Sequence, residues 1–231
     1  MRAALSKAEI ADRFGDAFKL HEKTVAETLS TGIPEIDALT GGMPRGAISE
    51  IFGPASSGRT SLMYSMLAHA TTHEETCALV DTNDVFAPTV ALAAGMDFDR
   101  LLWIRCAGNL EHAFKATDLL LHAGGFGLVI LDIGDIAGKD ACRIISSWWY
   151  RFRRTVEDKS TVLMVISEEV CTRSCAALTL ELKGAAEWSR GKLLCQNVIK
   201  VNPRRPFSSW LQERQFRAVA TDYTDLHRLS A

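Results

Sequence analysis

The sequence predicts an α/β fold in which a mainly parallel central sheet is flanked by helices and extended by antiparallel C-terminal strands. Short, continuous apolar runs alternate with helical stretches, which is the pattern of a parallel sheet covered on both faces. One of these runs, residues 47–52, enters a glycine-rich segment that is followed by apolar residues at helical spacing. The 231 residues suffice for one domain with a substantial core.

The predicted elements follow from periodicity and from turn residues. Continuous apolar runs predict strands at 47–52, 76–81, 101–104, 127–132 and 161–167. Three- and four-residue apolar spacing predicts helices at 5–22, 34–39, 62–70, 87–94, 111–122 and 140–155. Glycines 41 and 42 end the second of these helices. After the strand at 161–167, the C-terminal part of the chain is expected to form short strands at 178–182, 193–201 and 215–220.

Composition places the chain among ordinary globular proteins. It is 47% hydrophobic and 23% charged, without an apolar run near the roughly 18 residues that span a bilayer. The N-terminus is charged throughout and does not resemble a secretory signal, so the protein is expected in the cytoplasm. The six cysteines include no CxxC pair. They are expected to be reduced, with a redox or metal pair at Cys171 and Cys175 as the alternative.

Charge is distributed unevenly along the chain. Residues 1–138 hold 10 Lys and Arg against 18 Asp and Glu, whereas residues 139–231 hold 16 against 10. The basic second half could contact DNA or an acidic partner, and the two halves could attract one another between copies. Two solvated faces of one globule would give the same totals.

Residues 53–60, which we call the phosphate loop, read Gly-Pro-Ala-Ser-Ser-Gly-Arg-Thr. They fit the Walker A pattern GxxxxG(K/R)(S/T) of a P-loop, with arginine in place of lysine. Backbone N–H groups of such a loop and the start of the following helix hold phosphates. The predicted nucleotide-binding residues are Gly53, Pro54, Ser56, Ser57, Gly58, Arg59, Thr60 and Ser61. The alternative is an ordinary glycine-rich turn between a strand and a helix.

ATP and Mg²⁺ are the ligands such a loop would take, with Thr60 and Asp132 as the predicted metal ligands. Arg59 keeps the positive charge but cannot occupy the same point as lysine, so we expect binding to survive better than hydrolysis. Asn83 cannot act as a base, whereas Asp84 could if it pointed inward. No catalytic residue is assigned, and at most a weak ATPase is expected.

Much of the chain resembles the RecA recombinase superfamily. Residues 30–32, 36–39, 41–42, 44–54 and 56–58 look like the opening of a bacterial RecA core. Residues 76–81, 95–97 before 101–102, and 129–132 keep its spacing. Residues 197–201 with Pro206 and Phe207 resemble its final hairpin. The resemblance implies a RecA-like P-loop core.

The departures from that family are equally informative. Arg59 replaces the loop lysine, Asn83 stands at the position of the catalytic glutamate, and Ala87 and Val90 replace the residues that flank adenine. Only a short segment, between residues 166 and 178, corresponds to the long DNA-binding loop, and no counterpart of the family's C-terminal domain is expected. This pattern is most similar to ImuA-type accessory proteins of translesion mutagenesis in the SOS response to DNA damage. It implies RecA or an ImuB-type polymerase homologue, or both, as partners.

The resemblance also divides the chain into an N-terminal docking element, residues 1–29, and a core domain, residues 30–231. In the family such an element docks on the next subunit, so residues 5–29 are predicted to mediate self-association or to cap a RecA filament. Folding back on the same core is the alternative. A basic rim for DNA or a partner is predicted at Lys200, Arg204, Arg205, Arg214 and Arg217, with a solvated edge as the alternative.

An aromatic and basic stretch covers residues 148–154. Such a mixture stacks on and neutralises single-stranded nucleic acid. Ile144, Trp148 and Phe152 share one helical face, however, so packing against the sheet is favoured over nucleic-acid binding.

Three functions therefore compete. The favoured one is a RecA-like protein without recombinase activity that acts through protein partners in DNA-damage tolerance. The second is an active, DNA-dependent ATPase in which Arg59 and Asp84 compensate for the missing groups. The third is a cell-division inhibitor of the SulA kind, which is also built on a RecA-like core.

Overall fold

A computed structural model of the protein describes residues 27–136, 146–188 and 194–205. Side chains are described for these residues except 185–188, 194–199, 204 and 205. The predicted helix at 5–22 and the predicted strand at 215–220 lie outside the described residues.

The elements follow one another along the chain with short connections. The strands are β1 Thr28–Leu29, β2 Met43–Pro44, β3 Ala47–Phe52, β4 Cys77–Asp81, β5 Leu101–Arg105, β6 Leu128–Asp132, β7 Val162–Ser167, β8 Ala176–Trp188 and β9 Leu194–Arg205. The α-helices are α1 Pro34–Thr40, α2 Arg59–Thr72, α3 Pro88–Ala93, α4 Leu110–Ala123 and α5 Ser146–Val156, and a 3₁₀ turn covers Phe98–Arg100.

Seven strands form one sheet in the order β5-β4-β6-β7-β3-β8-β9. Every neighbouring pair is parallel except β8 and β9, which form an antiparallel hairpin. The central strands β4, β6 and β7 are buried along their whole length, as their continuous apolar sequences require. The predicted fold class, a mainly parallel sheet flanked by helices with an antiparallel C-terminal extension, is confirmed.

The C-terminal strands differ from the prediction in length and direction. The short segments predicted at 178–182 and 193–201 belong to strands of 13 and 12 residues. The first of them, β8, runs parallel to β3 and only then pairs with β9. Antiparallel pairing in the main sheet, within the described residues, is therefore confined to its last two strands.

Two apolar layers cover the sheet. One includes buried residues of α1, α2 and α3, and the other includes buried residues of α4 and α5. In α5, Trp149 and Phe152 are buried while Tyr150 is 57% exposed. Trp148 is only partly buried, so the face that packs on the sheet is centred on Trp149, one residue away from the predicted position. Packing against Phe114 of α4 still accounts for these aromatic residues.

The described end of the predicted docking element lies on the chain's own core. Thr28 and Leu29 pair with Pro44 and Met43 as the small antiparallel sheet of β1 and β2, and Leu29 is 5% exposed. Among the described residues, no helix combines the length and apolar character that crossing a membrane requires.

Candidate phosphate-binding site

The phosphate loop lies between β3 and α2, at the carboxyl ends of the parallel strands. Ser56 and Gly58 have positive φ angles of 61° and 97°, and Gly58 caps the helix that begins at Arg59. Gly53 donates its N–H to the carbonyl of Ser167 at 3.3 Å, which fixes the loop to the end of β7. The first N–H groups of α2 have no partner within their own helix, so they face the loop as a positive helix terminus.

The loop residues divide into a buried and an exposed set. Gly53, Ser57 and Arg59 are buried, whereas Pro54, Ser56, Thr60 and Ser61 are exposed. The Ser57 hydroxyl is buried and has no hydrogen-bond partner in the described part of the chain. A buried polar atom without a partner is uncommon in a folded protein and indicates a place where a ligand or water completes the bonding.

Strand β8 closes one side of the loop. A Cβ on Gly53 would collide with the carbonyl oxygen of Leu182, and a Cβ on Gly184 would collide with the carbonyl oxygen of Ser56. Both positions therefore require glycine because two backbones touch there.

Arg59 points across the site, from the start of α2 to the segment that follows β6. Its side chain is buried, with 8% exposure, and its Nη1 donates to the carbonyl oxygen of Gly134 at 3.0 Å. A Cβ on Gly134 would lie 3.0 Å from this nitrogen and 3.0 Å from Oδ1 of Asp132. The guanidinium and the Asp132 carboxylate therefore face the same small space.

Asp132 ends β6 and is 9% exposed. Its Oδ1 accepts the Gly134 N–H at 2.9 Å. Burial raises the pKa of this carboxyl group to about 6, although the Gly134 N–H and the Arg59 charge oppose the change. Strand β7 lies between β3 and β6, so one strand separates the strand that ends at Asp132 from the strand that leads into the phosphate loop.

Mg²⁺ fits this arrangement poorly. A divalent cation beside Asp132 would meet the positive charge of Arg59. The Thr60 hydroxyl is exposed and Asp132 is buried. Thr60 and Asp132 as metal ligands, and the eight nucleotide-binding residues, stay predictions.

The carboxylates that follow β4 do not point to the phosphate loop. Asp81 is buried and accepts N–H bonds from Val85, Phe86 and the Trp103 indole, which fixes the turn after the strand. Asp84 pairs with Arg105 at 3.0 Å, on the edge strand β5. The one candidate base thus pairs through Oδ2 with the edge strand, which lies four positions from β3 in the sheet, while its Oδ1 is buried without a partner in the described part of the chain.

Sequence reasoning missed Glu50, a carboxylate at the centre of β3. Its side chain has 0% exposure and contacts the segment between β7 and β8, residues 168–175, which we call the connector. Its Oε1 accepts from Cys171 N at 2.7 Å and Thr172 N at 3.2 Å, and its Oε2 accepts from Thr172 Oγ1 at 2.5 Å. The Ser167 hydroxyl and the Cys171 thiol also donate to Oε1.

Glu50 thereby fixes the connector at the position of the shortened DNA-binding loop that the resemblance implied. A lone acid inside the apolar run of residues 47–52 was the available signal. Cys171 and Cys175 are buried in the same connector, and their reduced state stays a prediction. Of the predicted basic rim, Lys200 is partly buried, and the other four side chains lie outside the description.

Comparison with known proteins connects this geometry to a family. A model of the RecA N-terminal domain matches residues 1–139. A protein RecA of Rickettsia canadensis is 37% identical over 134 residues, which are 56% of this chain and 39% of that protein. A protein RecA of Deinococcus radiodurans is 35% identical over 136 residues, 57% of this chain and 37% of that protein. The match thus spans less than two fifths of the length of these relatives.

Proposed function

Because the chain belongs to the RecA N-terminal domain family, we propose that it is an ImuA-like accessory protein of the DNA-damage response and translesion synthesis. It acts by binding protein partners, and its nucleotide site is degenerate. Its partners are RecA, an ImuB-type polymerase homologue, or both.

The observation that carries this proposal is the bond between Arg59 and the carbonyl of Gly134. A lysine at this position of a P-loop reaches the β- and γ-phosphates of the nucleotide. Here the charged group is instead held by the protein's own backbone, beside the carboxylate predicted to hold the metal. This arrangement favours phosphate binding without turnover.

The state of Asp84 supports the same conclusion. A general base must lie within hydrogen-bond reach of the proton that it removes. Asp84 is instead bound to Arg105, and the neighbouring Asn83 carries an amide that cannot take a proton. The groups that could have compensated for the missing glutamate are therefore not directed at a γ-phosphate.

The fixed connector argues against strand exchange. A loop that binds and releases DNA needs freedom to move, whereas four donors of Cys171 and Thr172 hold this segment to one buried carboxylate. Direct DNA contact through the basic second half and self-association through residues 5–29 remain secondary parts of the proposal.

Two measurements test the proposal. Purified protein should bind RecA filaments or the polymerase homologue with and without ATP, and phosphate release should stay at background with or without single-stranded DNA. Sustained ATP hydrolysis that the Asp132→Ala substitution abolishes would support the ATPase hypothesis instead. Binding to a tubulin-like division protein, with no binding to RecA or polymerase, would establish the division-inhibitor reading.

A further inference from the structure

We propose that the phosphate loop binds the phosphate chain of a nucleotide without a divalent cation, and that the Arg59 guanidinium is the built-in cation of the site. This inference rests on the degenerate nucleotide site of the proposed function and states which form of the ligand it takes. The ligand class is a nucleoside di- or triphosphate in its metal-free, fully anionic form.

The first argument is the hydrogen-bonding capacity of Arg59. A guanidinium carries five N–H donors, and one of them is used, on Gly134. The other four have no acceptor among the residues that the structure describes, although the side chain is 8% exposed. Unpaired guanidinium donors favour an anion, because phosphate oxygens accept from a guanidinium in pairs.

The second argument is the Ser57 hydroxyl, which is buried in the same loop without a partner. It lies close to Gly53, whose Cβ would be 2.8 Å from Ser57 Oγ. The loop backbone, this hydroxyl and the start of α2 are all donors, and α2 continues for 14 residues behind them. The loop therefore carries several hydrogen-bond donors in addition to the guanidinium.

The third argument is the position of the charge. The guanidinium faces the space beside Asp132 where the family's metal would be expected, and Coulomb repulsion between it and a divalent cation is strong where water is excluded. Arg59 is also held there by Gly134, a residue with no room for a side chain. The positive charge beside Asp132 is therefore supplied by the protein itself.

Calorimetric titration of ATP, with the full chain and in buffers containing either MgCl₂ or EDTA, tests this proposal. The wild type should bind ATP in EDTA, and Mg²⁺ should leave the affinity unchanged or weaken it, because Mg²⁺ removes the free anion. Arg59→Lys should bind at least about tenfold more tightly with Mg²⁺ than in EDTA, since a compact ammonium on a flexible stem leaves room for the cation. Inorganic tripolyphosphate should compete with ATP in EDTA for the wild type.

Arg105→Lys is the matched control, because it makes the same change at an arginine that pairs with Asp84 on the edge strand. Its nucleotide binding should equal that of the wild type. Wild-type binding that requires Mg²⁺, or no binding in EDTA, would overturn the proposal. Circular dichroism checks that the Arg59→Lys variant is folded. If ATP binding by the folded variant depends on Mg²⁺ as it does in the wild type, Arg59 is not the cation of the site. Partner binding measured on the same samples reports separately on the proposed function.

Discussion

Glu50 provides the sharpest test of how the connector is held. Replacing it with methionine keeps the side-chain length and removes every acceptor. The hydroxyls of Ser167 and Thr172 and the thiol of Cys171 can rotate to other acceptors, but the N–H groups of Cys171 and Thr172 cannot. Each buried N–H that loses its partner costs about 1–3 kcal/mol. We expect Glu50→Met to lower the free energy of unfolding by about 3 kcal/mol, since the apolar side chain offsets part of the loss.

Urea unfolding followed by tryptophan fluorescence measures this change. Glu50→Gln keeps one oxygen for the two N–H groups and should lose only about 1 kcal/mol. Glu169→Gln, an exposed position in the same connector, is the matched control and should change stability by less than about 0.5 kcal/mol.

A second readout is local to the connector. Arg173 is exposed in the connector, so trypsin can report when this segment is released. Native Glu50→Met protein should be cut after Arg173 faster than the wild type, whereas the Glu169→Gln protein should not. A methionine variant that keeps both wild-type stability and wild-type cleavage would show that Glu50 does not hold the connector.

Two further predictions concern the site and the core. The pKa of Asp132 is raised to about 6, above its unfolded value of about 3.9, so the native state loses stability as the pH rises through 6. The Asp132→Asn variant lacks this loss. In urea unfolding with EDTA, its free energy of unfolding relative to the wild type should therefore rise by about 2 kcal/mol between pH 4.5 and pH 8. A pH-independent difference would contradict that assignment. Phe152→Ala should lower the free energy of unfolding by about 3–5 kcal/mol because the ring is fully buried. Tyr150→Ala on the same helix should lower it by less than about 1 kcal/mol. Equal losses of stability in thermal unfolding would refute the packing interpretation of α5.

The main sheet could be predicted from the sequence because burial on both faces demands continuous apolar runs. Residues 47–52 match β3 at both ends, and the run at 127–132 differs from β6 by one residue. Proline at the start and a left-handed Gly41 at the end similarly fixed α1. The lengths of β8 and β9 could not be read in this way, because polar residues such as Lys183 interrupt the apolar pattern while the backbone pairing continues.

The candidate site, too, could be predicted from the sequence only in part. The glycine-rich pattern identified which residues form the phosphate loop, but not the direction of the Arg59 side chain. That direction depends on Gly134, 75 positions further along the chain. The pairing of Asp84 with Arg105 likewise depends on β5 lying beside β4. Contacts between distant segments carry no local periodicity, so the sequence alone leaves them open.

The close approach at Gly53 and Gly184 has a mechanical consequence. Even with only hydrogen atoms on these two α-carbons, the backbone of the phosphate loop and that of the β8–β9 hairpin are in direct contact. Whatever shifts the loop toward β8 must displace that strand as well, and a partner bound on the hairpin would limit movement of the loop in that direction. Occupancy at the anion site and the shape of this sheet margin are therefore tied together by steric contact alone.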